Sequence, residues 1–318
     1  MKLLLAGGAG YIGSKLAPVL VDRGYDVDVL DLFWFGDFLP TAVNKIKKNI
    51  FEITLDEVKN YDQIIFLAGL SNDPMAEYSP SLNFIHNASA PAYLGYIAKQ
   101  AGVKRFIYAS SCSVYGYTEN DLYDESSPAV SNYPYGISKL QGEQAVLQMV
   151  DKSFSVICLR QGTVSGYSPR MRLDLIVNTM FKSALLDDII NVYNPAIWRP
   201  ILSISDAVTA YIRSIESSDN ISGIFNIASG NYTVGEVADL VKNSINSKMD
   251  KRINLNIEHR QDYRNYKVSI DKARNILSFK PRSDIDGIVQ DLITNFDKFN
   301  DLDNKSYYNI EVFKMIKF

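Results

Sequence analysis

Apolar and polar positions alternate in blocks along the first half of the chain, with short apolar runs separated by longer amphipathic stretches. Short runs bounded by turn residues predict buried strands, whereas apolar positions spaced three and four apart predict helices. Strands are predicted at residues 2–6, 25–30, 63–68, 104–109 and 153–159, with a short third strand at 48–53. Helices are predicted at residues 11–23, 54–58, 81–102 and 132–149, the third of them with a kink at Pro91. This alternation is typical of a parallel, doubly wound α/β sheet.

Beyond Pro169 the alternation loosens. Helices are predicted at residues 173–186, 204–215, 233–245 and 271–277, separated by short strands and loops. We therefore predict two domains. Residues 1–168 form the sheet domain, and residues 169–318 form mainly a smaller α/β lobe over the carboxyl edge of the sheet, with some later segments returning to the first domain.

A glycine-rich turn joins the first predicted strand to the first predicted helix, with Gly7, Gly10 and Gly13 spaced three apart. In such a strand–turn–helix unit one glycine makes the tight turn, one lets the backbone approach a pyrophosphate, and one lets the helix pack closely on the strand. The free N–H groups at the start of the helix can then hold the phosphates. The sequence therefore predicts a dinucleotide site and a Rossmann-type fold.

Asp31 follows the second predicted strand directly. An acidic residue at this distance after the glycine turn commonly meets the adenosine ribose hydroxyls. Its carboxylate would repel a 2′-phosphate, and no lysine or arginine follows in the next three positions. The predicted cofactor is therefore NAD and not NADP.

Ser111, Tyr135 and Lys139 form the candidate catalytic set. Tyr135 and Lys139 are four residues apart on a predicted helix, which places them on one face. A lysine ammonium favours the tyrosine phenolate, which can then serve as the base for an alcohol proton during hydride transfer to NAD. Ser111, at the end of the preceding strand, can hold the alcohol and then the carbonyl oxygen.

Composition removes several function classes. The chain has 318 residues, 47% of them hydrophobic and 22% charged, with a formal net charge of −3. No basic field argues for a nucleic acid or a membrane surface as the partner, so an anionic substrate would need a few well-placed arginines. No stretch approaches the roughly 18–20 apolar residues of a membrane span.

The only two cysteines, Cys112 and Cys158, provide neither a disulfide framework nor metal-ligand spacing. Such sparse cysteine use suits a reducing compartment, so a cytoplasmic protein is expected.

Together these motifs resemble the extended short-chain dehydrogenases/reductases, the NAD-dependent epimerase/dehydratase group that acts on nucleotide sugars. The similarity runs along nearly the whole chain. The segments that carry it are residues 7–13, 67–69, Asn87, 110–116, 135–139, 159–166, 199–206, 225–230 and 264–273.

The resemblance implies a set of ligand-binding residues. For the cofactor they are Gly7, Gly10, Tyr11, Ile12, Gly13, Asp31, Leu67, Ala68, Gly69, Asn87, Tyr135, Lys139 and Gly162. For a nucleotide-diphosphate sugar they are Ser71, Ser111, Tyr135, Arg172, Asn178, Arg199 and Arg264, with Arg199 and Arg264 on the diphosphate because guanidinium groups suit phosphate. The resemblance also implies a homodimer built on the helix at 81–102 and the Tyr135 helix.

The residues after Ser111 bear on which member of the group this is. A 4,6-dehydratase-like member would carry Asp-Glu directly after its catalytic threonine, whereas this chain has Cys112 and Ser113. Neither is a carboxylic acid, which argues against dehydration. Related 3,5-epimerases place a cysteine two residues before the position of Tyr115, and that position is Ser113 here. Cys112 is therefore interpreted as a packing residue.

What remains is hydride chemistry at C4 of the sugar. Epimerisation through a transient 4-keto sugar is predicted, and net oxidation or reduction at C4 is the alternative, since both use the same three residues. Ser71, where UDP-galactose 4-epimerases have lysine, and Thr163, where many members have asparagine, leave the sugar and nucleotide open. A non-catalytic NAD-binding regulator is disfavoured because it would be expected to lose Tyr135 or Lys139.

Overall fold

The computed structural model describes residues 1–259 and 264–316, apart from the side chains of Glu119 and Asn120. The described strands are β1 (Lys2–Ala6), β2 (Asp26–Asp31), β3 (Asn44–Lys47), β4 (Gln63–Phe66), β5 (Arg105–Ser111), β6 (Tyr117–Tyr123), β7 (Ser155–Gln161), β8 (Thr163–Ser165), β9 (Ile189–Tyr193), β10 (Trp198–Ser203), β11 (Gly223–Ile227), β12 (Gly230–Thr233), β13 (Asn254–Glu258) and β14 (Asn265–Val268). The described α-helices are α1 (Gly13–Asp22), α2 (Leu55–Val58), α3 (Asp73–Tyr78), α4 (Pro80–Phe84), α5 (Ala90–Gln100), α6 (Pro134–Leu147), α7 (Ile176–Asp187), α8 (Ile204–Glu216), α9 (Val234–Met249), α10 (Asp271–Ile276), α11 (Ile285–Thr294) and α12 (Asn309–Met315).

Seven strands form a parallel sheet in the order β3-β2-β1-β4-β5-β7-β11. Successive residues of β1 pack into different cores, Leu3 and Leu5 on one face and Leu4 and Ala6 on the other, so both faces of the sheet are covered. The strand order reverses between β1 and β4, which is the switch point where doubly wound folds bind ligands. The predicted Rossmann-type α/β fold is confirmed.

The later part of the chain has a hydrophobic core of its own, in which Phe181 of α7, Val237 of α9 and Ile288 of α11 are buried. Some later segments nevertheless belong to the first sheet. Strand β11 pairs with β7 at its edge, and Tyr211 of α8 packs in the same core as Leu3. The boundary between the two domains at residue 168 stays a prediction. None of the helices within the described ranges is long and apolar enough to cross a membrane.

The predicted third strand is misplaced. It covers residues 44–47 instead of 48–53. Residues Ile50–Glu52 form a 3-10 turn in which the Asn49 side chain accepts from the Phe51 amide and Glu52 bonds back to the Asn49 amide. This local capping removes the backbone groups that a strand would need.

The predicted helix at 81–102 is interrupted. It consists of α4, a π-helical segment at Ile85–Ser89, and α5. Pro91 has no N–H to donate to the Asn87 carbonyl, which instead accepts a hydrogen bond from the Tyr108 hydroxyl at 2.9 Å. A π-helical turn of this kind widens the helix locally and often marks a functional site.

Candidate active site

A cleft of about 440 Å³ is lined by residues at the carboxyl edge of the parallel sheet and by residues of the later part of the chain. Because parallel strands end at the same edge, segments distant in sequence meet here. The predicted site residues that line the cleft are Gly7, Gly10, Tyr11, Ile12, Gly13, Asp31, Leu67, Ala68, Gly69, Ser71, Ser111, Tyr135, Lys139, Gly162, Arg172, Arg199 and Arg264.

Asn87 and Asn178 are outside this lining of described residues. Asn87 is fully buried, and its amide nitrogen donates to the Leu70 carbonyl at 2.9 Å. Asn178 is also fully buried, accepts from the Gly166 amide at 2.9 Å and donates to the Arg172 carbonyl at 2.7 Å. Each asparagine therefore fixes a loop of the cleft from behind, and direct contact with a ligand stays a prediction.

The glycine turn requires glycine for steric reasons at two positions. Gly7 has φ +81°, in the left-handed region, and a Cβ atom there would lie 2.3 Å from the Ala68 amide nitrogen. A Cβ atom on Gly13 would lie 2.3 Å from the Gly8 carbonyl oxygen. Gly13 is the first residue of α1, so the start of this helix sits at the cleft. The turn therefore has the backbone that phosphate binding needs.

Tyr11 joins the glycine turn to the later part of the chain. Its hydroxyl donates to the Gly166 carbonyl at 2.5 Å and accepts from the Asn178 amide at 3.1 Å. Burial raises the pKa of Tyr11, so the hydroxyl keeps the proton that it donates. Tyr11 was predicted as a cofactor residue, and its side chain also ties the two halves of the cleft together.

Asp31 ends β2 at the floor of the cleft. One carboxylate oxygen accepts from the Ala9 amide at 3.0 Å and the other from the Phe33 amide at 2.8 Å. Burial raises the pKa of Asp31, and these backbone hydrogen bonds oppose the rise. The carboxylate is held in place and retains lone pairs for the hydroxyls of a ribose.

Arg170 was missed in the sequence and lies in the same cleft. The side chain is only 2% exposed, its guanidinium lies 3.8 Å from the centre of the Phe35 ring, and it donates to the Asn309 side chain at 2.5 Å. Its Nε has no hydrogen-bond partner among the described residues. A buried, unpaired donor beside Asp31 and the glycine turn suits the polar and anionic groups of a dinucleotide, so the cleft fits NAD.

The three candidate catalytic residues line one cleft. The Ser111 and Ser113 hydroxyls are 2.8 Å apart, and Ser111 also accepts from the Ser113 amide at 3.2 Å. Lys139 Nζ donates to the Ala109 carbonyl at 3.0 Å. The end of β5 and one face of α6 therefore meet in the cleft, and the catalytic role of these three residues stays a prediction.

Burial dominates the acid–base properties of this set. It raises the pKa of Tyr135, and a hydrogen bond with Ser111 and the charge of Arg172 oppose that rise. It lowers the pKa of Lys139 to about 7. A tyrosine base here depends on nearby positive charge to form its phenolate, and Lys139 changes charge near neutral pH.

A buried ion pair lies below these residues. The Arg160 guanidinium donates to both carboxylate oxygens of Glu143, at 3.0 and 2.6 Å, and the Ser110 hydroxyl donates to Glu143 at 2.7 Å. Glu143 is on α6, Ser110 precedes Ser111 on β5, and Arg160 is on β7. The network fixes the catalytic helix against the two strand ends.

Arg199 and Arg264 lie next to each other in the cleft lining. Arg199 donates to the Arg264 carbonyl, and its guanidinium lies 5.5 Å from the centre of the Tyr266 ring. Arg264 pairs with Asp73 at 2.5 Å. Asp73, which was not predicted, therefore competes with any phosphate for Arg264.

Arg172 is paired with a carboxylate of its own. It donates to both oxygens of Asp174, at 2.8 and 3.0 Å, and to the Ser71 hydroxyl at 3.1 Å. Its substrate role stays a prediction, and an anionic ligand would have to share it with Asp174.

Both cysteines are buried. Cys112 is 1% exposed and donates to the Arg160 carbonyl at 3.1 Å, and Cys158 is fully buried in β7. Burial raises the pKa of both thiols. Cys112 is absent from the cleft lining of the described chain, whereas Ser113 belongs to it.

The cleft residues that were not predicted lack a local signal in the sequence. Arg170 stood two positions from Arg172 in the same basic stretch, and only its burial beside Asp31 distinguishes it. Asn309 reaches the cleft from far along the chain, where no motif surrounds it.

Comparison with known proteins finds related sequences and related structures. The model of the NAD dependent epimerase/dehydratase family matches residues 3–228. UDP-glucose 4-epimerase of Bacillus subtilis is 30% identical over 190 residues, covering 54% of this chain and 56% of that protein. UDP-glucuronic acid decarboxylase 5 of Arabidopsis thaliana is 27% identical over 89% of this chain and 85% of its own length. The solved structure of MoeE5 in complex with UDP-glucuronic acid and NAD superposes with a TM-score of 0.80, at 26% identity, over 92% of this chain and 97% of that chain.

Proposed function

The chain belongs to the NAD dependent epimerase/dehydratase family, and from that premise we propose that it is a 4-epimerase of a nucleoside-diphosphate sugar. One observation carries the proposal. Ser111, Tyr135 and Lys139 line the same cleft as the glycine turn, while the position after Ser111 holds a buried thiol outside that lining. Ser111, Tyr135 and Lys139 can remove the proton of an alcohol and return it. Cys112 and Ser113, which follow Ser111, are not carboxylic acids that could help to expel water.

Tyr135 acts as the base in this proposal. Its phenolate oxygen takes the proton of the C4 hydroxyl and later returns it to the oxygen of the 4-keto sugar. Ser111 donates a hydrogen bond to that oxygen, and the adjacent Ser113 hydroxyl holds Ser111 in place at 2.8 Å. NAD held by the glycine turn and Asp31 would supply a reversible hydride acceptor for C4, so that the reaction would need no external oxidant.

The charge balance around Tyr135 explains the need for Lys139. Burial raises the pKa of the Tyr135 phenol, so the phenolate must be stabilised by positive charge. The charge of Arg172 already lowers that pKa. Lys139 supplies a second cation whenever it is protonated, and its pKa of about 7 makes that contribution dependent on pH.

The substrate class follows from the arginines. Arg199 and Arg264 line the cleft on the side of the later chain, where they would hold a diphosphate. The relatives named above act on, or are bound to, UDP sugars, which supports a UDP sugar here. A homodimer through α5 and α6 is part of the same proposal.

Decarboxylation is the second candidate, favoured by the 27% identity to the Arabidopsis decarboxylase over 89% of this chain. A 4-keto intermediate derived from a UDP-uronic acid can lose carbon dioxide, so the same three residues can serve both outcomes.

The test is to incubate the purified protein and NAD with UDP-glucose, UDP-galactose and the two corresponding uronic acids, and to follow absorbance at 340 nm with product mass. A new product of unchanged mass, separated from the substrate by chromatography, with no accumulated NADH supports epimerisation, and the absence of any new product contradicts it. A product lighter by two hydrogens, with NADH, indicates a dehydrogenase, and losses of water or carbon dioxide indicate a dehydratase or a decarboxylase. Each of these last three outcomes contradicts the 4-epimerase.

A further inference from the structure

We propose that the C-terminal helix α12 is part of the cofactor site and retains NAD(H) on the protein. In this proposal Asn309 holds the helix in place against the cleft. The proposal rests on the 4-epimerase proposed above, because a reaction that returns its hydride has no need to exchange the cofactor.

Helix α12 contacts the loops that follow two strands. The Asn309 side chain donates to the Ser71 hydroxyl at 2.9 Å, beyond β4. The Phe313 ring lies 5.9 Å from the Trp34 ring, beyond β2. In the sheet, β4 and β2 are the two neighbours of β1, so these loops flank the glycine turn on either side. Helix α12 therefore bridges the two sides of the phosphate-binding turn.

The helix also forms part of the wall of the cleft. Asn309 and Ile310 line it together with Trp34, Phe35 and His86. Asn309 is only 3% exposed although it is polar, and both ends of its amide are used, since its oxygen accepts from Arg170. A buried side chain with both groups satisfied is costly to pull away, because it would leave unpaired polar groups behind.

An apolar anchor holds the rest of the helix. Phe313 is 1% exposed and packs in a cluster with Leu70 and Met75, with Trp34 and Ile310 against it. Its ring also lies 6.0 Å from the Tyr78 ring of α3. Helix α12 is therefore held at two separate points, by the hydrogen bonds of Asn309 and by the apolar packing of Phe313.

Arg170 links Asn309 to the part of the cleft that the cofactor would occupy. Asn309 is the hydrogen-bond partner of its guanidinium, which stacks on Phe35 and lines the cleft. Removing the Asn309 side chain would release Arg170 as well as the helix. We therefore expect dissociation of the cofactor to accelerate strongly in an Asn309 variant.

The experiment measures how fast NADH leaves the full-length protein. The protein is loaded with NADH, mixed with a large excess of NAD, and the decay of NADH fluorescence gives the dissociation rate without any sugar present. Asn309→Ala and Phe313→Ala are expected to dissociate about tenfold faster than wild type, a difference of about 1.4 kcal/mol. Met315→Ala is the matched control, because it lies on the same helix with 62% exposure, and its rate should equal that of wild type.

Unchanged dissociation in Asn309→Ala and Phe313→Ala, in protein with wild-type circular dichroism, would overturn the proposal. An equal acceleration in Met315→Ala would overturn it too, since the effect would then be general loosening. If Asn309→Ala does not fold, Ser71→Ala replaces it, because that variant removes the acceptor of the Asn309 amide without adding a charge and leaves the Asn309–Arg170 contact in place, and faster release is expected again. No sugar enters the measurement, so a wrong 4-epimerase assignment leaves this result unaffected.

Discussion

Arg160 and Glu143 form a two-point ion pair, with distances of 3.0 and 2.6 Å, in a place where their side chains are 4% and 1% exposed. The pair joins the helix that carries Tyr135 and Lys139 to the neighbouring strand β7, and Ser110 adds the strand of Ser111. The geometry of the catalytic set is therefore maintained by a buried ion pair, Arg160 with Glu143, that is not among the cleft-lining residues of the described chain.

Glu143→Gln is expected to destabilise the protein by about 3–5 kcal/mol, because it leaves the buried Arg160 charge without its partner. Urea unfolding measures the loss. The control is Glu216→Gln, which breaks the exposed pair with Arg23 and should cost less than about 1 kcal/mol. Equal losses in both variants would contradict a special role for the buried pair.

Tyr135→Phe is expected to lower turnover by about 10²-fold or more, because the proton of the alcohol loses its acceptor. The fold and NAD binding should be retained, as judged by circular dichroism and NADH fluorescence. Tyr117→Phe removes a hydroxyl from a residue that is 54% exposed on β6 and should turn over like wild type. Wild-type turnover in Tyr135→Phe would remove the basis of the proposed mechanism.

Wild-type protein is expected to bind NAD about tenfold or more tightly than NADP, because the Asp31 carboxylate would repel a 2′-phosphate. Asp31→Asn should narrow this difference in dissociation constants. Asp26→Asn, at the other end of the same strand, should leave it unchanged. The role of Asp31 fails if the wild-type protein binds the two cofactors equally, for instance because Arg170 attracts the extra phosphate.

Lys139 should make stability depend on pH. Its pKa is about 7 in the folded chain and 10.5 without the fold, so between these values the unfolded chain binds more protons. The free energy of unfolding of wild type, relative to Lys139→Met, should therefore rise with pH across that window, by up to about 1.4 kcal/mol per pH unit. Urea unfolding at intervals from pH 6 to about pH 10 measures it, and a constant difference between the two proteins would show that burial does not shift this lysine.

The parallel sheet was predictable because apolar runs such as that of β1 carry their own signal, and the glycine turn because the backbone at Gly7 and Gly13 leaves no room for a side chain. The strand at 48–53 failed because the Asn49–Glu52 capping interaction is decided by side-chain hydrogen bonds, which an apolar pattern does not report. The helix at 81–102 is interrupted close to the kink predicted at Pro91, whereas the π-helical segment before it was not predicted. The Asn87 carbonyl, which Pro91 cannot reach with an N–H, accepts a hydrogen bond from the distant Tyr108 hydroxyl, and no local pattern reports that contact.

Much of the candidate cleft was also predictable, since the strand ends that carry Asp31 and Ser111 must meet at one edge. The contributions of Asp73, Arg170 and Asn309 were not. Asn309 bonds to Ser71 from 238 positions away, and only the packing of α12 brings the two together. Long-range contacts of this kind leave no periodic trace in the sequence.

The burial of Cys112 and Cys158 has a practical consequence. Both thiols are buried and their pKa values are raised, so alkylating reagents and mild oxidants should not react with them in the folded state. A single cysteine placed at exposed Met315 would then be the one site for a fluorophore. Neither Cys112 nor Cys158 would then compete with the introduced cysteine for a label, so α12 can be labelled without replacing either of them.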